Sequence, residues 1–206
     1  GSMTIPGGAL AAAVNAASGT DLTITLSAGS AEEARKLLAE AGYENGVGFP
    51  ETTYLYNTDD KHQAVAEALQ SMWKNVLGVE VTLNNQDWNV FLETRSKGDY
   101  SICRNGWIAD YNDPVSFLDM FMTDNGNNDA HYSNAEYDAI MTKVLSDSDA
   151  AGRMELMHQA EDLLVGEDQA IAPLYYYSQP YMVADDVHGM YYTPLGNFLF
   201  FHATKG

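Results

Sequence analysis

Cysteine is all but missing from this 206-residue chain: Cys103 stands alone, so no intrachain disulfide can form. A lone cysteine within a strand-like run reads as a small buried hydrophobe rather than a nucleophile. Basic residues are scarce too. Ten Lys and Arg face 29 Asp and Glu, and the formal charge of −19 repels phosphate backbones and anionic headgroups. That argues against nucleic acid and membrane surfaces as partners, and an excess of this kind also serves solubility alone. No run of 18 apolar residues is present, and Leu10 to Val14 is too short to span a bilayer. The histidines at 62, 131, 158, 188 and 202 are scattered, with no HExxH spacing, no GxSxG and no phosphate-cradling glycine loop. Enzymatic chemistry and a bound cofactor therefore have no support in these motifs. Gly1, Ser2 and Met3 read as a cloning remnant, so the lack of a signal peptide carries no information.

The chain is long enough for one sizeable core, since a domain of this length buries roughly 70% of its unfolded surface. Residues 1–30 read as that remnant and a connecting segment rich in Ala, Gly, Ser and Thr, with one strand-like patch at Leu22 to Leu26. Residues 31–206 read as a single lobe. Ser30 and Glu33 form a capping box ahead of Ala34, Leu37, Leu38 and Ala41 at helical spacing, and Gly42 closes the turn. Thr52 to Asn57 reads as a strand. The helix after it carries Val65, Ala68, Leu69, Met72, Trp73, Val76 and Leu77 on one face and ends at Gly78. Val79, Val81 and Leu83 alternate as a second strand, and the crossover is long enough for a parallel pair. Trp88 to Ser96 predicts a helix, Asp99 to Gly106 a third strand, and Val115 to Met122 a helix-like run. Asn134 to Leu145 and Ala150 to Val165 predict two more helices. Ala170 to Tyr177 reads as a buried strand that packs its tyrosines, with Pro173 at an edge or bulge. Strand, helix, strand predicts an α/β fold, with a mixed sheet flanked by helices.

Arg104 to Pro114, RNGWIADYNDP, puts a cation, an indole and a carboxylate at the end of the third strand. Arg104 offers a planar fork suited to a carboxylate, and Asp110 offers two acceptors suited to an ammonium group. An unmodified peptide carries both charges at neutral pH. Gly106 admits close approach of a ligand backbone, and Trp107 offers a packing face. From spacing alone two readings stay open: a zwitterion site, or an ordinary ion pair of Arg104 and Asp110 with each other or with surface charges. Asp110, Asn112 and Asp113, and likewise Asp124, Asn127, Asn128 and Asp129, lack the glycine and closing glutamate of a calcium loop and read as solvated turn residues.

The chain resembles the extracytoplasmic oligopeptide-binding proteins of ABC importers, within solute-binding protein family 5. The resemblance is carried by ARKLLAEAGY (34 to 43), the run from Leu55 to Tyr100, RNGWIADYNDPVSFLDMF (104 to 121), AHYSNAEYDAIM (130 to 141) and AIAPLYYYSQPYMV (170 to 183). It implies a periplasmic-binding-protein-like (type II) fold and the carboxyl-terminal lobe alone of a protein that closes two lobes over a peptide. The partners implied are short peptides, the missing amino-terminal lobe and the subunits of a membrane permease. By the same resemblance Asp110 meets the peptide amino terminus, Arg104 meets the carboxyl terminus of short peptides, and Gly106, Trp107 and Ile108 lie on a strand that pairs with the peptide main chain. Some relatives carry a disulfide cysteine where Ile108 stands; with Ile108 here and Cys103 offset, that bridge is not carried over. The implied location is extracytoplasmic, in the periplasm or lipid-anchored on the outer face of the cell membrane. No metal and no cofactor are implied. Rival readings of the same fold are an oligosaccharide or nickel binder. A glycosidase-like enzyme and a module that only docks on the permease are rivals from other classes.

Overall fold

A computed structural model describes residues 29–147, 149–178, 180–193 and 195–206. They fall into two compact units that divide between Asn105 and Gly106. The strand-like patch at Leu22 to Leu26 and the connecting segment lie outside the described residues, as does the side chain of Ser30, which the structure places inside helix α1 (Gly29–Glu40) rather than before it.

The amino-terminal unit is built on a three-stranded parallel sheet. Strand β1 (Thr52–Asn57) lies between β2 (Val81–Gln86) and β3 (Ile102–Cys103), with Thr52 opposite Val81 and Leu55 opposite Cys103. Helix α2 (Asp60–Met72) makes the first crossover and α3 (Trp88–Ser96) the second. Four consecutive residues of β1, Tyr54 to Asn57, are buried, so both faces of the strand are covered, as a central parallel strand requires. Val65, Ala66, Leu69 and Met72 of α2 and Phe91 of α3 supply the cover. Burying each of the larger of these side chains is worth about 1.5–3 kcal/mol. Helix α2 continues as a π-helical turn, Trp73–Leu77, and stops at Gly78, whose φ of 72° is left-handed. A side chain at Gly78 would collide with the Asn45 carbonyl oxygen, so glycine is required there twice over.

The carboxyl-terminal unit packs two helices, α4 (Ala135–Ser146) and α5 (Ala150–Glu161), against two short 3₁₀ helices at Pro114–Phe117 and Asp119–Phe121. Asn134 caps α4 and Asp149 caps α5, each accepting two backbone N–H bonds. Tyr137, Met141, Val144, Met157, Ala160 and Leu164 join Val115, Leu118 and Phe121 in one core. Among the described residues four two-residue strands follow: β4 (Val187–His188) pairs antiparallel with β7 (Thr204–Lys205), and β5 (Tyr191–Tyr192) with β6 (Phe198–Leu199).

Besides Ser30, three runs differ from expectation. The third strand is shorter than Asp99 to Gly106, although Arg104 N–H still donates to Leu55 O at 2.9 Å beyond its end. The run Val115 to Met122 is not an α-helix but two 3₁₀ turns that meet at Leu118, and the backbone turns extended at Met122. Ala170 to Tyr177 forms no strand among the described residues: Pro173 donates no N–H, no strand partner is found there, and Tyr176 and Tyr177 are exposed. Cys103 is half-buried, its Sγ 3.2 Å from Arg104 O.

Candidate functional site

The order β2-β1-β3 means that the chain leaves β1 for one side of the sheet and then crosses to the other. The crevice outside the carboxyl ends of β1 and β3, where that reversal occurs, is the place where open parallel sheets bind ligands. Asn57 ends β1 and Arg104 follows β3. Arg104 Nη1 donates to Asn57 Oδ1 at 3.3 Å, and Asn57 is itself buried. The neighbouring end of β2 is tied down by Thr58, whose N–H donates to Gln86 O at 2.9 Å and whose hydroxyl donates to the Asn85 side chain. The guanidinium is thus held at a built, partly buried edge rather than swinging from a loop.

His62 joins this edge, and sequence reasoning missed it by counting the histidines as scattered. Asp59 caps α2, accepting from Lys61 N at 2.9 Å and His62 N at 3.1 Å, so His62 sits on the first helical turn beyond β1. Burial depresses its imidazole below the usual histidine value, and the Arg104 guanidinium pushes it further the same way, while Asp59 and the Asn57 backbone pull back. The signal that would have found it is positional: the first turn of a helix that follows a central strand lies near the carboxyl ends of the strands, where such sheets bind ligands. Arg104 with His62 makes an edge suited to an anion of carboxylate size.

Gly106, Trp107, Ile108 and Asp110 belong to the other unit. The structure places Trp107 with its ring partly packed on the core formed by Val115, Leu118 and Tyr137, and its Nε1 is buried without a hydrogen-bond partner. Gly106 is exposed, and Ile108 is exposed to 76% of its surface. Asp110 is exposed as well. Its backbone N–H donates to Ser116 Oγ at 3.0 Å, whereas its carboxylate has no hydrogen bond or ion pair among the described residues. The loop around it is anchored by Asp113, which caps the first 3₁₀ helix through Val115 N at 2.9 Å and pairs with Arg153 at 2.7 Å. That pairing, with the Arg153 hydrogen bond foremost, holds the Asp113 carboxyl below its ordinary range. The whole carboxyl-terminal unit sets three cations, Lys143, Arg153 and Lys205, among sixteen carboxylates, a field that favours an approaching ammonium group. Among the described residues no three His, Cys, Asp or Glu side chains are grouped to hold a metal ion.

Residues 4–129 match the family described as bacterial extracellular solute-binding proteins, family 5, middle. Over 160 residues the chain is 45% identical to the periplasmic oligopeptide-binding protein OppA of Salmonella typhimurium, covering 77% of this chain and 29% of that protein. It is 36% identical over 173 residues to the oligopeptide-binding protein OppA of Bacillus subtilis, covering 84% of this chain and 32% of that one. The crystal structure of Haemophilus influenzae OppA in complex with the peptide RPPGFSPFR superposes with a TM-score of 0.70 at 38% identity, over 81% of this chain and 34% of that one. The chain therefore spans about a third of the length of these three relatives.

Proposed function

The chain belongs to the bacterial extracellular solute-binding proteins of family 5, and on that premise we propose that residues 31–206 form the carboxyl-terminal lobe of an oligopeptide-binding protein that serves an ABC permease. The lobe holds the backbone and the charged ends of a short peptide and performs no chemistry on it. The protein works outside the cytoplasm, in the periplasm or anchored by lipid to the outer face of the cell membrane. Its amino-terminal lobe closes over the ligand, and the permease receives it.

The observation that carries this reading is the Asp110 carboxylate, exposed and unengaged at the start of a loop whose backbone is otherwise fixed. A carboxylate in that state is ready to accept two or three charge-assisted hydrogen bonds from a peptide ammonium group. Gly106, Trp107 and Ile108 offer their main chain to the peptide as an added strand, which recognises every sequence alike. Arg104, with His62 beside it, takes the carboxyl terminus of short peptides. Binding by termini and backbone leaves ligand side chains free to vary.

Calorimetry on the full-length protein tests this. Asp110→Ala is expected to weaken binding of a mixed tripeptide pool by about tenfold or more, the loss that corresponds to ~1.4 kcal/mol. Unchanged affinity removes Asp110 from the site. A defined sugar or a metal ion recovered with the purified full-length protein, in place of peptides, overturns the assignment as a whole.

A further inference from the structure

We propose that Arg153 is a positioning residue for the ligand-facing carboxylate of Asp110, acting through Asp113 and the first 3₁₀ helix. The inference rests on the reading of Asp110 as the ammonium partner and extends it to Arg153, 43 positions further along the chain.

The connection is continuous within the carboxyl-terminal unit. Arg153 stands in the first turn of α5 and makes two side-chain contacts: Nε donates to Val144 O at 3.0 Å, near the end of α4, and Nη1 donates to Asp113 Oδ2 at 2.7 Å. Val144 is a fully buried member of the core, so the guanidinium is braced against the most rigid part of the unit. Asp113 uses its two oxygens for different tasks. While Oδ2 takes Arg153, Oδ1 accepts from Val115 N and starts the turn that Pro114 favours. Asp113 O then accepts from Ser116 N at 3.1 Å, which sets the buried Ser116 so that its Oγ accepts the Asp110 N–H at 3.0 Å. Every step is a hydrogen bond, and both ends of the route are fixed, one in the core and the other at the residue offered to ligand.

This brace suits arginine better than lysine, because the planar fork aims two separate nitrogens in fixed directions, Nε at a carbonyl and Nη1 at a carboxylate. Both side chains of the Arg153–Asp113 pair are about a quarter exposed, so the pair keeps more of its strength than a surface ion pair does. Of the residues on the route only Asp110, at its end, is offered to the ligand. Its effect is therefore confined to the geometry of the ammonium contact and leaves main-chain pairing with the peptide alone.

The test is calorimetry on the full-length protein with trialanine and with N-acetyl-trialanine, which lacks the ammonium group. The wild-type protein is expected to prefer the free amine. Arg153→Ala is expected to reduce that preference by about threefold to tenfold while leaving affinity for the acetylated peptide unchanged. Arg153→Lys keeps the charge but not the fork, and falls between. Should Arg153→Ala fail to fold, Asp113→Asn retains the cap on Val115 N and removes the ion pair, and it is expected to show the same loss. In an Asp110→Asn background, Arg153→Ala is expected to change neither affinity further. Equal weakening for both peptides, or an undiminished preference, overturns the positioning role. Absence of any preference in the wild type overturns the Asp110 reading itself, and is recognised before a substitution is made.

Discussion

Tyr137 offers the sharpest test of what holds the site-bearing unit together. Its side chain is 0% exposed, its ring meets Tyr132 edge-on with centroids 5.3 Å apart, and its hydroxyl donates to Leu118 O at 2.7 Å. Leu118 joins the two 3₁₀ turns that follow Asp110, so this one bond ties the loop segment to α4. Tyr137→Phe keeps the ring and removes the donor, leaving a buried carbonyl without its partner. The expected cost is about 1–3 kcal/mol, the penalty for an orphaned buried group rather than the smaller net worth of a bond. Tyr137→Ala removes the ring as well and is expected to cost about 3–5 kcal/mol through the cavity it leaves. Urea denaturation measures both, and hydrogen exchange of the α4 amides assigns the loss to this unit. Burial raises the Tyr137 phenol well above its ordinary value, with Tyr132, Asp119 and Asp138 adding to the shift. The sign follows: the unfolded chain ionises near pH 10 while the folded one resists, so this contribution is complete below about pH 10 and is lost as pH rises through the folded value. A Tyr137→Phe protein as stable as the wild type, with the same alkaline limb, would refute the argument.

His62 is expected to titrate below the ordinary histidine value in an NMR pH series, and Arg104→Gln is expected to move its midpoint upward by removing the neighbouring cation. The unfolded histidine binds its proton first, so the stability linked to His62 is full above about pH 6.5 and falls as pH drops through the folded value. An unmoved midpoint in Arg104→Gln would separate the two side chains. Gly78→Ala is expected to destabilise the amino-terminal unit by more than the ~1–2 kcal/mol of a left-handed alanine, because the new Cβ also meets the Asn45 carbonyl. Denaturation in urea would show it, and a loss under about 1 kcal/mol would mean that the Asn45 turn yields freely.

Where the chain's elements follow local rules, they read directly. Trp88–Ser96 and Thr52–Asn57 have the bounds their patterns imply, whereas Asn134, read as the first residue of its helix, stands one position before it as the cap. Ala170 to Tyr177 shows the limit. An apolar run says that burial is favourable but does not name a partner, and a strand exists only by pairing. Val115 to Met122 has helical spacing, yet the Asp113 cap and the Asp110–Ser116 bond tighten its start into a 3₁₀ turn, a competition that periodicity does not register.

The motif from Arg104 to Pro114 was visible as chemistry before any fold was known: a guanidinium, an indole and a carboxylate carry their properties in any conformation. So were the helices and the central strand, since hydrophobic period and caps act over a few residues. Only the folded chain decided that His62 comes to stand beside Arg104, that Trp107 turns into the core, and that Arg153 reaches back 40 residues to Asp113. Each of these depends on contacts between elements distant in sequence, which packing selects and no local pattern encodes.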